Sequence, residues 1–371
     1  MRIAIDARAF GWAGVGRYTR CLLQALLRVA PQHDYIVLVG KADKEALLAL
    51  MPAARLTVQI VDAAYYTWRE QLIFWRQLQR VRADLWHFTH FNVPLLFRQP
   101  YVVTVHDVTR FVFPGQTRQS LLRQVAFERV FRRAVEAARG VVCVSRATQR
   151  DLQALPITLP RRIWVVPEAA DESFQRVVGG EERARARLLL GWPGPFVLYV
   201  GVWMSHKNLP RLLAAYVNLL ERYPYVRLVL TGRPRPGYVG VDRAARALGL
   251  EGDQVLYLGF VPPALLPALY AEATALLLPS LYEGFGLTAL EAAAVGTPVV
   301  ASNVSSLPEV LGEAAEYVNP EYVPGMAAGM VRIVSDSARR DRLAMLGRRR
   351  ASQYSWEEAA RRMAAVYEVL V

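Results

Sequence analysis

The sequence predicts an α/β protein made of two doubly wound, parallel-sheet domains, and three observations carry that prediction. Short β-rich apolar runs alternate with amphipathic helical stretches, a polar Gly/Pro-marked stretch interrupts the alternation, and 371 residues is the length of two domains. Strands that alternate with helices build parallel sheets covered on both faces, which is why the runs are almost wholly apolar.

The first series comprises RIAIDAR from Arg2, YIVLVG from Tyr35, LTVQIVD from Leu56, LWHFTH from Leu85, YVVTVHD from Tyr101 and GVVCVS from Gly140, and it closes with RIWVVPEA ending at Ala169. The polar stretch DESFQRVVGGEERARARLLLGWPGP then reads as the interdomain connection, which sets the domains at residues 1–170 and 171–354. A second series follows: FVLYVGVW from Phe196, VRLVLTGR from Val226, VLYLGFV from Val255, ALLLPS from Ala275 and TPVVASN from Thr297. The last helix starts at Ser355, which forms a Ser-x-x-Glu capping box with Glu358, and its apolar face is Trp356, Ala359, Ala360, Met363, Val366, Tyr367 and Leu370.

Composition excludes several classes. With 53% hydrophobic and 21% charged residues the chain is a packed globular protein, not a disordered one. Cys21 and Cys143, far apart among apolar neighbours, read as reduced core thiols and point to the cytoplasm. Asp6 and Arg8 interrupt any signal-like N-terminal run, and the sequence has no uninterrupted apolar stretch of about 18 residues, so neither secretion nor membrane spanning is expected. Net charge is +13, unevenly shared: residues 1–170 hold 24 Lys and Arg against 12 Asp and Glu, whereas residues 171–371 hold 21 against 20. An anionic membrane surface or an acidic substrate fits such asymmetry; no nucleic-acid-binding signature accompanies it, and an Arg-rich solvated surface reads equally well.

The run LPSLYEGFGLTALEAAAVGTPVV, Leu278 to Val300, carries the most chemistry. A buried strand leads into a glycine-bearing loop and then an Ala-rich helix. Gly284 and Gly286 let backbone approach a ligand, and the N–H groups of Phe285, Gly286, Leu287 and Thr288 at the helix start favour a phosphate or sugar oxygen. Glu283 and Glu291 can accept hydrogen bonds from separate hydroxyls of one elongated ligand; on spacing alone they read equally as solvated helix-start carboxylates.

This run resembles the Glu-x7-Glu signature of the family 4 retaining glycosyltransferases, which have the two-domain GT-B fold. AGVGRY from Ala13, TVHDVTRFVFP from Thr104, VSRATQRDL from Val144, VGVWMSHKNLPRLL from Val200 and the C-terminal SWEEAA are similar to further family segments in the same order. The resemblance implies that residues 355–371 cross back onto the N-terminal domain, that the donor binds mainly in the C-terminal domain, and that the acceptor binds mainly in the N-terminal one. It assigns donor-sugar hydroxyls to Glu283 and the amides of Phe285, Gly286 and Leu287, the ribose to Glu291, the diphosphate to Gly16 and Lys207, and the nucleobase to the loop of Gly259, Phe260 and Val261. It places His106 beside the donor sugar near the acceptor; alone, a His at a strand end reads as structural.

Lys207 is the one lysine after residue 170, in a half with 20 Arg. Val202 stands where relatives commonly have Arg, and His206 occupies an often basic position, so charge neutralisation is expected to be weaker, or shared with His206. The chain has no Asp-x-Asp, so metal-independent transfer without a resident cofactor is expected. His87 and His90, spaced His-x-x-His, read as loop or core residues without a third ligand. The segment YYTWREQLIFWRQLQRVR, Tyr65 to Arg82, and the helix carrying Arg123, Arg129, Arg132 and Arg133 suit an anionic lipid surface, but read more readily as helices packed on a sheet with their Arg side exposed.

The resulting expectation is a retaining hexosyltransferase, for mannose or glucose, that uses a GDP- or UDP-linked sugar and a glycan or lipid-linked acceptor in polysaccharide biosynthesis. It would be cytoplasmic, with peripheral attachment to the inner face of the membrane as an option. A nucleotide-sugar epimerase of the same fold and a non-catalytic membrane-associated scaffold are the alternatives, with a glycan phosphorylase third.

Overall fold

The computed structural model describes residues 1–51, 56–113, 121–236, 238–250 and 252–371. The chain divides into two compact units, one of Met1–Val108, Arg118–Glu168 and Ser355–Val371, the other of Thr109–Thr117 and Ala169–Tyr354.

The first unit contains a seven-stranded parallel sheet: β1 (Arg2–Asp6), β2 (Asp34–Gly40), β3 (Leu56–Val61), β4 (Leu85–Phe88), β5 (Tyr101–Val105), β6 (Gly140–Cys143) and β7 (Ile163–Val165), in the order β3-β2-β1-β4-β5-β6-β7. Every residue of β4, β5 and β6 is buried, whereas β3 alternates between partly buried and exposed positions, as an edge strand should. The helix Gly14–Val29 covers the sheet through Tyr18, Cys21, Leu22, Ala25 and Leu26, an i, i+3, i+4 stripe.

The second unit contains a six-stranded parallel sheet of β8 (Phe196–Tyr199), β9 (Arg227–Thr231), β10 (Val255–Gly259), β11 (Ala275–Leu278), β12 (Val299–Ser302) and β13 (Ala315–Val318), in the order β10-β9-β8-β11-β12-β13. Its core gathers Val197, Tyr199, Leu213, Tyr216, Leu228, Leu277 and Met330. Strand order reverses direction between β1 and β4 in one sheet and between β8 and β11 in the other. At such a switch point the loops leaving the carboxyl ends of the strands diverge and open a crevice for ligand.

Three expectations need correction. The expected boundary after residue 170 falls at Glu168/Ala169, and Thr109–Thr117 belongs with the second unit, where the Phe113 ring lies 6.4 Å from His206 and 6.5 Å from Tyr282. Pro114, the end of the His-Asp segment, lies outside the described residues. The segment from Tyr65 is helical over residues 68–78 alone, with Glu70, Phe74 and Leu78 buried, and a π-turn, Glu70–Phe74, interrupts its α-helical pattern. At the last helix, Trp356–Leu370, Ser355 Oγ accepts from Glu358 N at 3.1 Å, but the Glu358 carboxylate turns to Arg361 and Arg362.

Two buried polar networks fix the first unit. The Arg8 guanidinium donates to both Asp6 oxygens at 2.8 and 2.9 Å, to Glu70 Oε1 at 2.9 Å and to the Asn92 carbonyl at 3.1 Å. Burial works against this charge, but Asp6, Tyr65 and Glu70 outweigh it and raise the Arg8 pKa. Burial also raises the Glu70 pKa, against the lowering pull of Arg8 and Asn92. The second network joins the C-terminal helix to the sheet. His87 Nδ1 is 2.7 Å from Tyr367 Oη, His87 Nε2 is 2.8 Å from Thr104 Oγ1, and Thr104 Oγ1 is 3.0 Å from Tyr18 Oη.

Burial, with a smaller push from His106, lowers the His87 pKa to about 3, so the ring is neutral when folded. Tyr367→Phe leaves a buried imidazole nitrogen without its partner, which should cost about 1–3 kcal/mol in urea unfolding. An unchanged midpoint would show that the hydroxyl adds nothing to the packing of its ring.

Candidate active site

In the second unit the loops leaving β8 and β11 meet at the switch point. Past β8 a 3₁₀ turn, Ser205–Lys207, ends at Asn208, whose φ of 61° is a left-handed conformation that Asn tolerates. Asn208 Nδ2 donates to the carbonyls of Pro279 at 3.0 Å and Pro320 at 2.7 Å, and Leu281 N donates to the His206 carbonyl at 2.7 Å. These bonds lock the two loops together and bring Lys207 Nζ within 2.7 Å of Glu283 Oε1.

Glu283 is held on several sides. Ser280 Oγ donates to its carboxylate at 2.6 Å, its amide donates to Ser305 Oγ at 2.9 Å, and Ser306 Oγ donates to its carbonyl at 2.9 Å. A carboxylate so fixed presents its remaining lone pairs in one direction, which suits it to positioning a hydroxyl.

The helix Leu287–Val295 follows. Gly286, with φ 92°, caps its start, and a side chain there would be strained by that φ and would press on Leu307, whose Cδ2 lies 2.6 Å from an added Cβ. The first amides of the helix, from Leu287 and Thr288, have no intrahelical carbonyl and carry partial positive charge outward from the crevice floor. Gly284 sits in the loop, and Phe285 is buried with its ring 5.9 Å from Tyr354. Glu291 is fully buried on the helix, accepting from Tyr270 Oη at 3.3 Å, so its side chain is set by the core beneath the loop. Gly259, with φ 63°, ends β10; Phe260 beyond it is exposed and Val261 buried. Val202 is exposed at the end of β8 and His206 is buried.

Gly16 and His106 belong to the first unit. A Cβ at Gly16 would stand 2.5 Å from the Ala9 carbonyl and 2.6 Å from that of Phe10, so close packing of the helix start on the preceding loop requires glycine there. His106 follows β5. Its Nδ1 donates to Glu168 Oε1 at 3.1 Å and its Nε2 to the Thr89 carbonyl at 2.9 Å, while the Tyr18 ring meets it edge-on at 4.7 Å. Both partners are acceptors, so the imidazolium, with a hydrogen on each nitrogen, is the form that satisfies both contacts. Burial pulls its pKa down, but Glu168, followed by the Thr89 carbonyl and Asp107, outweighs burial and raises it above 6.5.

The structure thus brings Lys207 and Glu283 into contact, sets Gly284 to Thr288 and Glu291 on the adjoining loop and helix, and leaves His106 and Gly16 in the other unit. Among the described residues no three His, Cys, Asp or Glu side chains gather as a metal site, and no helix is long and apolar enough to cross a membrane.

Residues 12–174 match the description "Glycosyltransferase Family 4" and residues 181–350 match "Glycosyl transferases group 1". The chain is 31% identical over 389 residues to the O-antigen chain mannosyltransferase B of Escherichia coli, covering 96% of each. The chain belongs to glycosyltransferase family 4.

Another relative, the D-inositol 3-phosphate glycosyltransferase of Jonesia denitrificans, is 30% identical over 304 residues, 77% of this chain and 67% of that protein. Sucrose-phosphate synthase from Thermosynechococcus elongatus superposes with a TM-score of 0.78 at 24% identity, covering 100% of this chain and 99% of the other. Anabaena HepE in complex with UDP-glucose superposes with 0.79 at 19% identity, covering 100% of each. The fold is GT-B, and the protein is a glycosyltransferase.

Sequence reasoning missed two supports of this family 4 site. Asn208 has a local signal, an Asn before Leu-Pro at a helix start, where a left-handed residue fits. Glu168 has none: it stands 62 residues from His106 and only the fold joins them.

The sign of the His106 shift gives a test. A folded pKa above the unfolded value means that the pair stabilises the protein fully below pH 6.5 and that this contribution is lost as pH rises through the raised value. In an NMR titration His106 is expected to titrate with a midpoint above 6.5, falling below it in Glu168→Gln because burial then prevails. A midpoint insensitive to Glu168 would remove the carboxylate as its cause.

Proposed function

We propose that this glycosyltransferase moves a hexosyl unit, mannose or glucose, from a GDP- or UDP-linked sugar to a hydroxyl of a glycan or lipid-linked saccharide, with retained configuration and no divalent cation. The observation that carries the reading is the Lys207–Glu283 pair, 2.7 Å apart at the switch point and next to the helix Leu287–Val295. A cation and helix amides suit a diphosphate, and a fixed carboxylate suits the hydroxyls of the sugar attached to it. The name of the Escherichia coli relative favours mannose, and the UDP-glucose bound to Anabaena HepE favours a nucleotide sugar of this kind.

In the proposed reaction the acceptor oxygen forms a bond to the anomeric carbon while the bond from that carbon to the diphosphate breaks. The electron pair leaves on the phosphate oxygen, which takes the acceptor proton. Glu283, aided by the amides of Phe285, Gly286 and Leu287, orients the sugar; Glu291 takes the ribose; Gly16, Lys207 and Thr288 face the diphosphate, with His206 beside Lys207; Phe260 and Val261 flank the base. His106, in its protonated form, donates from both nitrogens and then has no lone pair to act as a base.

A thermal-shift panel of UDP, GDP and ADP with chelator present tests this. One nucleotide at about 100 times its Kd should add about 2.7 kcal/mol, a shift of a few degrees. Lys207→Ala should lose the shift, whereas Glu283→Gln should keep it and lose transfer. No shift with any nucleotide would overturn the reading, and an epimerised sugar formed without acceptor would favour the epimerase.

A peripheral membrane position is a further part of the proposal. On the helix Leu121–Glu136, Phe127, Phe131, Ala134 and Val135 face the core, while Leu122 (82% exposed), Val125 (61% exposed), Arg129 and Arg132 line the opposite face at helical spacing. Apolar residues beside arginines on one exposed stripe suit an anionic bilayer surface, such as that of the inner face of the cytoplasmic membrane. The protein is expected to sediment with anionic but not neutral vesicles, and less so as Leu122→Ser with Arg129→Gln; equal recovery with both vesicle types would sink the idea.

A further inference from the structure

The crevice of the second unit is short of positive charge for the ligand proposed for it. A nucleotide sugar brings two ionised phosphates, and a further negative charge collects on them as the sugar departs. Lys207 is already compensated by Glu283 at 2.7 Å, and the first amides of the helix Leu287–Val295 supply only a partial charge. Val202, exposed at the end of β8, supplies none.

The neighbouring strand leads to uncommitted cations. β9 ends at Thr231 and runs into Gly232-Arg233-Pro234-Arg235-Pro236. Each arginine precedes a proline, which biases its backbone toward the extended conformation, so the segment continues alongside the chain that leaves β8. Trp203 N donates to the Arg233 carbonyl at 3.0 Å and Arg235 N donates to the Trp203 carbonyl at 3.1 Å, which pairs Trp203 with Pro234 in parallel. Gly232, with φ 86°, permits this approach, because a Cβ there would collide with the Gly201 carbonyl.

The register decides which side chains share a face. The Trp203 ring is buried, with Nε1 donating to the Thr231 carbonyl at 2.9 Å. Residues flanking a paired position project to the opposite side, so Val202 and Arg233 lie side by side away from that ring, and Arg235 follows on the same face. Paired strands lie about 4.8 Å apart, a gap that an arginine side chain spans. Both arginines are exposed, and among the described residues neither guanidinium has a hydrogen bond or ion pair. Two free guanidiniums on a backbone stiffened by two prolines are pre-organised for phosphate oxygens.

We propose that Arg233, with Arg235 two residues on, binds the diphosphate of the donor from the loop after β9 and provides the neutralising charge that Val202 does not. The assignment rests on the transferase reading and names how that site manages a diphosphate without a divalent cation.

Thermal-shift titrations of the whole protein with UDP, UMP, GDP and GMP, chelator present, test it. In wild type the diphosphate of one base is expected to bind more tightly than its monophosphate. Arg233→Ala should weaken the diphosphate by about tenfold and the monophosphate much less, with Tm unchanged in the absence of nucleotide because the side chain has no partner to lose. Arg235→Ala is expected to act in the same direction, and the double variant to lose the preference for diphosphate. Val202→Arg placed in the Arg233→Ala chain should restore that preference, because it returns a guanidinium to the adjoining position on the same face. A loss shared equally by monophosphate and diphosphate, or no recovery with Val202→Arg, would overturn the assignment. Wild type that responds to no nucleotide would overturn the transferase reading and this assignment with it, whereas a wild-type preference that survives in the double variant overturns the assignment alone.

Discussion

A guanidinium with almost no access to water organises the first unit. Once the fold places Arg8 inside, every nearby element must supply it with acceptors, because an unmatched buried cation costs far more than any packing contact returns. Asp6 answers from β1, Glu70 from the turn after β3, and the Asn92 carbonyl from the loop after β4. Glu70 faces inward from a helical segment, residues 68–78, that passes through a π-turn at Glu70–Phe74. The Tyr66 conformation and the position of Asn92 follow from the same carboxylate, which accepts from both. The surface around Trp12 is therefore shaped from beneath by a charge that never reaches it.

The second unit solves a related problem with smaller means. Its ion pair, Lys207 with Glu283, is only partly buried, and its geometry comes from neutral groups: Ser280, Ser305 and Ser306 around the glutamate, and the Asn208 amide tying one loop to the other. Groups fixed in this way hold their geometry without further reorganisation. Pairing also keeps each of the two charges compensated.

The fold was legible because burial on both faces of a parallel sheet writes itself as unbroken apolar runs: among the described residues twelve of the thirteen strands coincide with a run read from the sequence, β2 starting one residue before its run. The exception, β13, is four residues long with Glu316 in its middle; only the folded chain brings Arg332 and Arg339 to that carboxylate. The strand-loop-helix around Glu283 was legible for the same local reason: a glycine-bearing loop between a strand and a helix has few ways to fold. What sequence could not give were partnerships across long separations: Glu168 with His106, Tyr367 with His87, and the aromatic residues that converge on His90 from two different loops. In the Tyr65 to Arg82 segment helical spacing was legible over residues 68–78, but the π-turn at Glu70–Phe74 was not.

The return of the C-terminal helix has a consequence for how this chain is made. Tyr367 completes a hydrogen-bonded chain that begins at Tyr18, and Trp356 lies 5.9 Å from the same Tyr18 ring, so residues at opposite ends of the polypeptide share one core. On the ribosome, where synthesis runs from the N-terminus at about 5–20 residues per second, the seven-stranded sheet emerges first, but its covering stays incomplete until the helix Trp356–Leu370 has left the exit tunnel. The intervening unit has its strands in one continuous stretch and can close meanwhile. The half of the protein translated first is thus the half finished last, and during that interval its exposed apolar face is the part of the nascent chain most in need of a chaperone.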